Sequence, residues 1–473
     1  MVTKNSICLF CSLGCGVSFR AEGGQVKALA YDQENPVNKG ALCPRGHYNL
    51  ELVNHPGRLT EPQIGKRKVS WEEAATFIRQ ELQPFNKPEI GCLVSCLLSN
   101  EAALAVARMA QRLGIKNLLT AGAAADLEAY EGNKWQVPGA ELATLESLEQ
   151  SDALLIVGDL LSRSPVLSKR VNKVKYGKRG NKIIVIDPNQ THTTWFATSH
   201  LACKPGTEAV VLAALAGALP AAEAERLCGI PAARLQQTAA DFQAAAAGTV
   251  IYVPQSRKPR NDLAVYYAKK LAAASANKKY LVYYLFGNTL GVNTVIDREA
   301  PDHPTYHELL AKIDRGEIKS LLMFGEDISA GHAELQKRFR MLKFVAFAGH
   351  FESESPAIYD NSILLPLATQ CEAGGSYLLA DGKVAECEPV APAVGSATLT
   401  KICGLLADVS VGRSEGRQCV EQGLVGKTKD EAEALAELKG VQPVESSTTK
   451  PITYFGNNHL VSNFFWYQVN KNG

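Results

Sequence analysis

Four cysteines near the start of this 473-residue chain stand at a spacing that strongly restricts how it can fold. Cys8, Cys11 and Cys15 lie in CLFCSLGC, and Cys43 follows in ALCPRG. A tight loop with three thiolates and a distant fourth is the arrangement that holds an iron–sulfur cube. A structural zinc site usually has two Cys-x2-4-Cys pairs and is the nearest alternative, and unmetallated thiols are a third. The spacing favours a [4Fe–4S] cluster.

The charge of the chain is nearly balanced, with 50 Lys and Arg residues against 48 Asp and Glu residues. The basic footprint of a nucleic-acid-binding protein is therefore missing. No apolar run reaches the length of about 18 residues that a membrane-spanning helix needs. Cys8 is too close to the first residue for a signal peptide to precede the folded part. We expect a cytoplasmic protein with no membrane span and no nucleic-acid partner.

From residue 70 onward the sequence alternates between helical and strand patterns. Ser70 is a predicted N-cap, because Glu72 and Glu73 follow in the first turn of an amphipathic segment. Several short apolar segments end in Gly, Asp, Asn or Pro, among them GCLVSCLL, ALLIVGDL, KIIVIDPN, SLLMFGED and KFVAFAGH. Such segments, separated by helices, are typical of buried parallel strands in an α/β fold. Ligands of these sheets bind beyond the carboxyl ends of the strands.

The segments around the cysteines occur in an order that resembles a known family. The motif is followed by LCPRGHYNLELVNHPGRLTEP and VSWEEA, and later by KIIVIDPNQTHTTWFA, CKPGTEAVVLAALAGAL and FESESPAIYDNSILLPLATQCEAGGSYLLADGKV. In this order the chain resembles the molybdopterin oxidoreductase family over roughly residues 5–395. Within that family it most resembles formate dehydrogenase catalytic subunits and the large iron–sulfur subunit of respiratory complex I.

The resemblance implies an α/β fold with an N-terminal [4Fe–4S] domain followed by two interleaved α/β domains with mostly parallel sheets. We expect a cluster domain at 1–61, a discontinuous α/β domain at 62–135 plus 318–395, an inserted α/β domain at 136–317, and a partner-contacting tail at 396–473. The family's C-terminal β-barrel needs more residues than this tail supplies. We expect the barrel to be missing or to lie on another chain, as in formylmethanofuran dehydrogenase.

The resemblance also implies a set of cofactor-binding residues. Arg45 would stand between the cluster and a pterin, where a fixed cation favours the added electron, and a surface arginine is the alternative. One molybdopterin guanine dinucleotide would contact Asp187, Gly158, Thr193, Gly206 and Thr207. The second would contact Gly325, Glu372 and Gly374.

The chain departs from the family at three of the positions around the dinucleotides. Asp159 and Glu326 stand where the family commonly has Asn, and Asn189 replaces the Arg of an Asp-Pro-Arg segment. A carboxylate beside a diphosphate is repulsive unless it is paired.

The chain also departs from the family at the metal ligand. In formate dehydrogenases a Cys or selenocysteine binds molybdenum or tungsten, but counting from Asn117 that position falls near Ala125. Asp126 is a candidate carboxylate ligand, and a helix N-cap is its commoner use.

Loss of the metal ligand with the cluster motif intact predicts an electron-transfer subunit of a multi-subunit oxidoreductase. Its partners would be redox subunits that carry flavin or iron–sulfur clusters, linked to NAD, ferredoxin, hydrogen or formate. The alternative is a catalytic molybdenum or tungsten bis-pterin subunit of the formate dehydrogenase class, with its barrel on a separate chain. A purely structural subunit is the third class.

Overall fold

The computed structural model describes residues 2–255, 260–329, 333–352 and 362–444. The chain begins with a small antiparallel sheet of β1 (Val2–Ile7), β2 (Gly16–Glu22) and β3 (Gln25–Ala30), and helix α1 (Pro44–Asn54) packs against β3. Paired strands of this kind hold the ends of a loop at a fixed separation. The loop between β1 and β2 carries the first three cysteines of the motif.

The next segment begins a second sheet. Its elements are β4 (Gln63–Ile64), β5 (Arg67–Lys68), α2 (Trp71–Leu82), β6 (Ile90–Ser95), α3 (Asn100–Leu113) and β7 (Asn117–Ala121). The hydroxyl of Ser70 accepts a hydrogen bond from the backbone N–H of Glu73 at 3.1 Å, so the predicted N-cap is present. Strands β6 and β7 are buried along their whole length, as expected for a sheet that is covered on both faces.

A five-stranded parallel sheet follows, in the order β10-β9-β8-β11-β12. Its strands are β8 (Ala153–Val157), β9 (Lys182–Ile186), β10 (Ser199–Leu201), β11 (Gly248–Tyr252) and β12 (Lys278–Val282). The helices of this region are α4 (Ala124–Lys134), α5 (Leu145–Glu149), α6 (Leu160–Arg163), α7 (Ser168–Gly177), α8 (His192–Trp195), α9 (Glu208–Leu215), α10 (Ala221–Cys228), α11 (Ala232–Gln243), α12 (Asn261–Ala273), α13 (Thr289–Glu299) and α14 (Tyr306–Asp314).

The chain then returns to the second sheet. The elements of this part are β13 (Ser320–Phe324), α15 (Ala333–Phe339), β14 (Phe344–Gly349), β15 (Ser362–Pro366), α16 (Gln370–Ala373), β16 (Gly375–Leu378) and β17 (Val384–Cys387). The sheet has the order β5-β4-β15-β14-β13-β6-β7. The five neighbouring strands β15, β14, β13, β6 and β7 are parallel to one another. The fold class expected from the sequence is confirmed. Two separated chain segments build this sheet, which supports the expected interleaving, while the domain boundaries stay a prediction.

Three further helices lie in the region expected to be a partner-contacting tail, and they fold onto the chain itself. They are α17 (Leu399–Ala407), α18 (Arg413–Glu421) and α19 (Glu431–Lys439), and the helical pattern of the sequence at Lys429–Leu438 predicts only the last. Helices α17 and α18 pack on α3, and Lys270 of α12 is paired with Glu431. The aromatic-rich segment 451–467 lies outside the described residues. In the part of the chain that the structure describes, no helix has the length and hydropathy that crossing a membrane requires.

We predict that Gly132→Ala weakens the fold by about 1–3 kcal/mol, because a methyl group there overpacks the contact between α4 and α12. An added Cβ would lie 2.1 Å from the carbonyl oxygen of Asp262, a backbone atom that cannot rotate away. Gly177→Ala, at the open end of α7 with no atom within 4 Å, is the matched control. It should leave stability unchanged or raise it by up to about 1 kcal/mol. Urea midpoints from circular dichroism compare the two, and equal midpoints would contradict the assigned contact.

Candidate functional site

The cysteine loop is a closed turn at the end of the small sheet. The backbone N–H of Cys8 donates to the carbonyl of Cys15 at 2.8 Å, and Gly14 takes the left-handed conformation with φ of 67° that the turn requires. The side chains of Cys8, Cys11 and Cys15 are buried. Three thiols are thus held on one compact loop, as the spacing predicts.

Asn38 connects this loop to the fourth cysteine. Its side-chain oxygen accepts from the N–H of Gly16 at 2.9 Å, and its amide group donates to the carbonyls of Gly16 and Ala41 at 3.0 and 2.8 Å. Cys43 follows at the N-cap of α1, where it is half-buried. The loop and the distant cysteine therefore share one buried polar side chain that fixes their separation.

The pKa values of three of the motif thiols are raised by burial and by the neighbouring cysteines. Burial, and to a lesser degree the neighbouring Cys11 and Cys43, raise the pKa of Cys8 to about 12. Burial also raises the pKa of Cys15 well above its usual value, with added contributions from the other three thiols. For Cys11, burial raises the pKa while Arg45 and a hydrogen bond with Tyr283 oppose the shift.

This chemistry fits a cluster. Thiolates in a buried site carry a high desolvation cost, which positive iron ions bound to sulfur offset. Among the described residues, no three His, Cys, Asp or Glu side chains meet closely enough to hold a single metal ion. The four cysteines instead interact at the longer range of their charges, and they are the residues that would ligate a [4Fe–4S] cluster.

Arg45 is a buried residue, so the surface interpretation is wrong. Its side chain donates to the carbonyl of Phe10 at 3.1 Å, inside the cysteine loop, and to the carbonyl of Arg163 at the end of α6. It therefore joins the cluster domain to the five-stranded sheet and places a fixed cation beside Cys11.

The residues predicted to bind the first dinucleotide come together at one edge of the five-stranded sheet. Gly158 and Asp187 directly follow β8 and β9, and the N–H of Gly158 donates to the carbonyl of Ile186 at 2.9 Å. Gly206 and Thr207 precede α9, and Thr207 donates its hydroxyl to the carbonyl of Lys204 at 2.6 Å.

Asp159 is held by contacts within the chain and caps α6. Its carboxylate accepts from the hydroxyl of Thr193 at 2.6 Å, and the Thr193 hydroxyl accepts from the N–H of Leu161 at 2.8 Å. The same carboxylate oxygen accepts from the N–H of Ser162 at 3.4 Å. The carboxylate of Asp159, which stands where the family commonly has Asn, is thus hydrogen-bonded by Thr193. The resemblance had assigned Thr193 to the dinucleotide.

Side chains from elsewhere cover two of the predicted glycines. An added Cβ on Gly158 would lie 1.9 Å from the amide nitrogen of Gln255, and one on Gly206 would lie 2.9 Å from a methyl group of Val444. The N–H of Val444 also donates to the carbonyl of Pro205 at 2.9 Å. Protein side chains therefore lie directly against both glycines, and their contact with a dinucleotide stays a prediction.

At the second predicted position, Glu372 is engaged in a buried ion pair. Its two oxygens accept from the guanidinium group of Arg58 at 2.9 and 2.7 Å, and one of them also accepts from the N–H and hydroxyl of Thr369. The exposed fractions of the Arg58 and Glu372 side chains are 9% and 6%. A pair this buried is costly to break, because either partner alone would be an uncompensated charge.

The space beside Gly325 and Gly374 is small and mostly apolar. A cavity of about 50 Å³ lies there, lined by Leu97, Leu98, Leu367, His350 and other largely apolar side chains. Sites for small organic ligands usually measure about 300–1,000 Å³. The cavity between the described residues here is therefore much smaller than a usual ligand site, and the binding of a second dinucleotide by Gly325, Glu372 and Gly374 stays a prediction.

Ala125 and Asp126 lie at the start of α4, and Asp126 is directed to the chain segment after β12. One carboxylate oxygen of Asp126 accepts from the N–H groups of Leu285 and Phe286 at 2.8 and 2.9 Å. Its other oxygen has no partner among the described residues. Burial raises the pKa of Asp126 to about 7. The N-cap role considered from the sequence is wrong, because Ala123 is the N-cap of this helix.

The sequence did not reveal the residues that hold the cysteine loop against the sheets. The hydroxyl of Ser12 donates to the carbonyl of Tyr284 at 3.0 Å and accepts from its N–H at 2.9 Å. Tyr283, beside Cys11, donates its hydroxyl to the carbonyl of Arg163 at 3.1 Å. A serine inside the motif and a tyrosine at the end of an apolar strand are too common to indicate these contacts.

Comparison with known proteins agrees with a cluster site at the start of the chain and with the α/β fold that follows it. Residues 58–399 match the family described as molybdopterin oxidoreductase, and residues 1–55 match the molybdopterin oxidoreductase Fe4S4 domain. The F420-dependent formate dehydrogenase subunit alpha of Methanocaldococcus jannaschii is 29% identical over 45% of this chain and 32% of its own length. The NADPH-Fe(3+) oxidoreductase subunit alpha of Geobacter sulfurreducens is 23% identical over 83% of this chain and 53% of its own length. The chain thus spans about a third to a half of these relatives.

Two solved structures share the fold. Acetylene hydratase from Pelobacter acetylenicus aligns with a TM-score of 0.69 at 14% identity, over 93% of this chain and 72% of its own. A chain of the formyltransferase/hydrolase complex from Methylorubrum extorquens aligns with a TM-score of 0.52 at 13% identity, over 76% of this chain and 99% of its own.

We predict that Arg45→Met lowers the reduction potential of the cluster by tens of millivolts. Removal of a buried cation makes the added electron less favourable. The Arg45→Lys variant keeps the charge and should retain most of the potential. Redox titration followed by low-temperature EPR measures both variants, and an unchanged potential in Arg45→Met would contradict the role of the cation.

We predict that Asp126 makes stability fall as the pH rises from about 4 to about 7. Because its pKa is raised from 3.8 to about 7, the folded protein keeps a proton in this range that the unfolded chain releases. Asp126→Asn cannot release that proton, so its urea midpoint should depend less on pH in this window. Asp408→Asn, at a 99% exposed side chain, is the control and should keep the wild-type pH dependence. An equal slope in Asp126→Asn and wild type would contradict the assignment.

Proposed function

Because this chain belongs to the molybdopterin oxidoreductase family, we propose that it is the [4Fe–4S]-carrying electron-transfer subunit of a multi-subunit oxidoreductase. In this proposal the family fold serves as the scaffold, and the cluster passes electrons between partner subunits. The domain division expected from the sequence, with an inserted domain at 136–317, is part of the same proposal.

The observation that carries the proposal is a contrast between two parts of the same chain. All four cysteines of the cluster motif are present, three of them buried and Cys43 half-buried, whereas by the family's spacing the metal-ligand position falls near Ala125. The second dinucleotide position is a cavity of about 50 Å³, and its carboxylate is committed to Arg58. This contrast supports an electron relay over substrate chemistry at molybdenum or tungsten.

The residues around the cluster have separable tasks. When bound, a [4Fe–4S] cluster accepts and donates one electron at a time. Arg45 holds a positive charge beside Cys11, which stabilises the reduced state. Asn38 and Ser12 fix the positions of the ligand-bearing segments through hydrogen bonds, so that little rearrangement accompanies the change in charge.

The partners we propose are redox subunits that carry flavin or further iron–sulfur clusters. The relatives with matching sequence are named as alpha subunits of formate dehydrogenase and of an NADPH-Fe(3+) oxidoreductase, and such names belong to multi-subunit enzymes. The donor and acceptor of this chain are proposed only as classes, namely NAD, ferredoxin, hydrogen or formate systems reached through those partners.

The relatives favour one alternative, a catalytic molybdenum or tungsten bis-pterin subunit of the formate dehydrogenase class with its barrel on another chain. An F420-dependent formate dehydrogenase subunit alpha of Methanococcus maripaludis is 31% identical over 45% of this chain. That identity covers less than half of the chain. In this alternative Asp126 or no protein group would ligate the metal, and Gln255 and Val444 would have to move away from the glycines they cover.

Metal analysis of the anaerobically purified complex separates these functions. We expect about four iron atoms per chain, as one [4Fe–4S] cluster requires, and no molybdenum, tungsten or pterin fluorescence. Stoichiometric molybdenum or tungsten with pterin would establish the catalytic alternative. A chain without iron would be a structural subunit.

The same preparation tests the ligands individually. Cys11→Ser should abolish the low-temperature EPR signal of the reduced protein, because serine is a poor ligand for the cluster iron. Cys419→Ser, at a half-buried thiol outside the motif, is the control and should leave the signal unchanged. An unaltered signal in Cys11→Ser would remove the cluster assignment.

A further inference from the structure

One continuous segment of the inserted α/β region is rich in basic residues and contains no acidic ones. Residues 160–186 contain eight Lys or Arg residues and no Asp or Glu, in a chain whose formal net charge is only +2. The segment covers α6, α7 and β9. Arg170 and Lys173 are paired with Glu149 and Lys182 with Asp241, and the cations that remain create a positive local field that attracts anionic partners.

Three cations at the two ends of α7 are exposed to solvent and have no carboxylate of the described residues beside them. Lys169, Lys178 and Arg179 are exposed, and within the described ranges no carboxylate lies within 4.0 Å of their charged atoms. Their neighbours Arg170 and Lys173 are paired with Glu149. The unpaired cations therefore form a surface rather than an internal network, and we call Lys169, Lys175, Lys178 and Arg179 the basic surface.

Two aromatic side chains stand beside the basic surface in contact with water. Tyr176 is 72% exposed and Trp195, on α8, is 70% exposed. The ammonium group of Lys175 lies 5.3 Å from the ring centre of Tyr176 and 5.9 Å from that of Phe196, so α7 and the end of α8 form one continuous face. Exposed aromatic residues beside cations are typical of protein interfaces and atypical of an ordinary solvated helix.

The inner side of this face is part of the cluster environment. Val171 and Val174 of α7 belong to the same hydrophobic core as Cys8, Cys11 and Cys15. Arg170 donates to the carbonyls of Pro36 and Val37, in the chain segment that leads to Cys43, at 2.7 and 2.8 Å. The helix is thus in direct contact with the cluster domain on one side and presents the basic surface on the other.

We propose that the basic surface, with Tyr176 and Trp195, is the docking site for a small acidic one-electron carrier protein that exchanges electrons with the cluster. The inference rests on the proposed relay function and names the kind of partner that function requires. In the exchange, one electron leaves the reduced cluster and reduces the oxidised carrier, with no bond formed or broken. The charge selects the anionic carrier and speeds its encounter, and the aromatic side chains supply the apolar contact.

The test measures binding as well as electron transfer, with a strongly acidic bacterial ferredoxin as the probe. The charge-reversal variant Lys169→Glu, Lys178→Glu, Arg179→Glu should bind the ferredoxin at least about tenfold more weakly at low salt, with a smaller dependence on ionic strength. Its cluster EPR signal and its reaction with the small mediator methyl viologen should stay unchanged. A second variant, Trp195→Ala, should weaken binding at high salt as well, because its contribution is apolar.

A matched control carries the same change of charge elsewhere. Lys337→Glu, Arg340→Glu, Lys343→Glu alters three exposed cations around the end of α15, outside the hydrophobic core that contains the cluster cysteines. This control should keep the ferredoxin affinity of the wild type.

Three results would overturn the docking site. They are equal affinity of the α7 variant and wild type, an equal loss in the control variant, and tighter binding of wild type to a duplex oligonucleotide than to the ferredoxin. If the cluster signal and the viologen reaction persist while the affinity does not change, the docking site fails and the relay function stands. If the cluster signal is absent from wild type, the relay function fails first.

Discussion

The transfer of four thiol groups from water into the protein is the physical constraint on which the rest of this structure depends. Burial, with the neighbouring thiols Cys11 and Cys43, raises the pKa of Cys8 to about 12, so thiolates at this site need positive charge close by. Arg45 supplies one fixed charge, and bound iron would supply the remainder.

The loop that holds these thiols depends on distant parts of the chain. Ser12 is bound to the backbone of Tyr284, and the N–H of Ala380 donates to the carbonyl of Ser12 at 3.0 Å. Arg45 reaches Arg163 at the end of α6. A loop of eight residues with this many contacts to later segments acquires its shape only when both sheets have folded. The geometry of the cluster site therefore depends on the packing of the domains.

The sequence predicted the parts of this arrangement that local patterns encode. The cysteine spacing, the N-cap at Ser70 and the buried parallel strands depend on neighbouring residues, and the structure contains them. Arg45, Glu372 and Asp126 each also bind a residue more than a hundred positions away, namely Arg163, Arg58 and Leu285, and no local pattern encodes such pairs. For the same reason α17 and α18 were missed, since their stability comes from packing on α3 and not from a strong pattern of their own.

The burial of the cluster site also decides which kind of chemistry it can support. Cys8, Cys11 and Cys15 are 5–6% exposed, so a substrate could not reach the iron they would hold. A reaction that makes or breaks a bond needs that contact, whereas an electron crosses a thin layer of protein without it. Cys43 is the half-buried member of the set, and the segment that leads to it is bound by Arg170 of α7. The least enclosed side of the site therefore lies next to α7, the most positive of the described helices. A charged redox partner gains most from docking at this side.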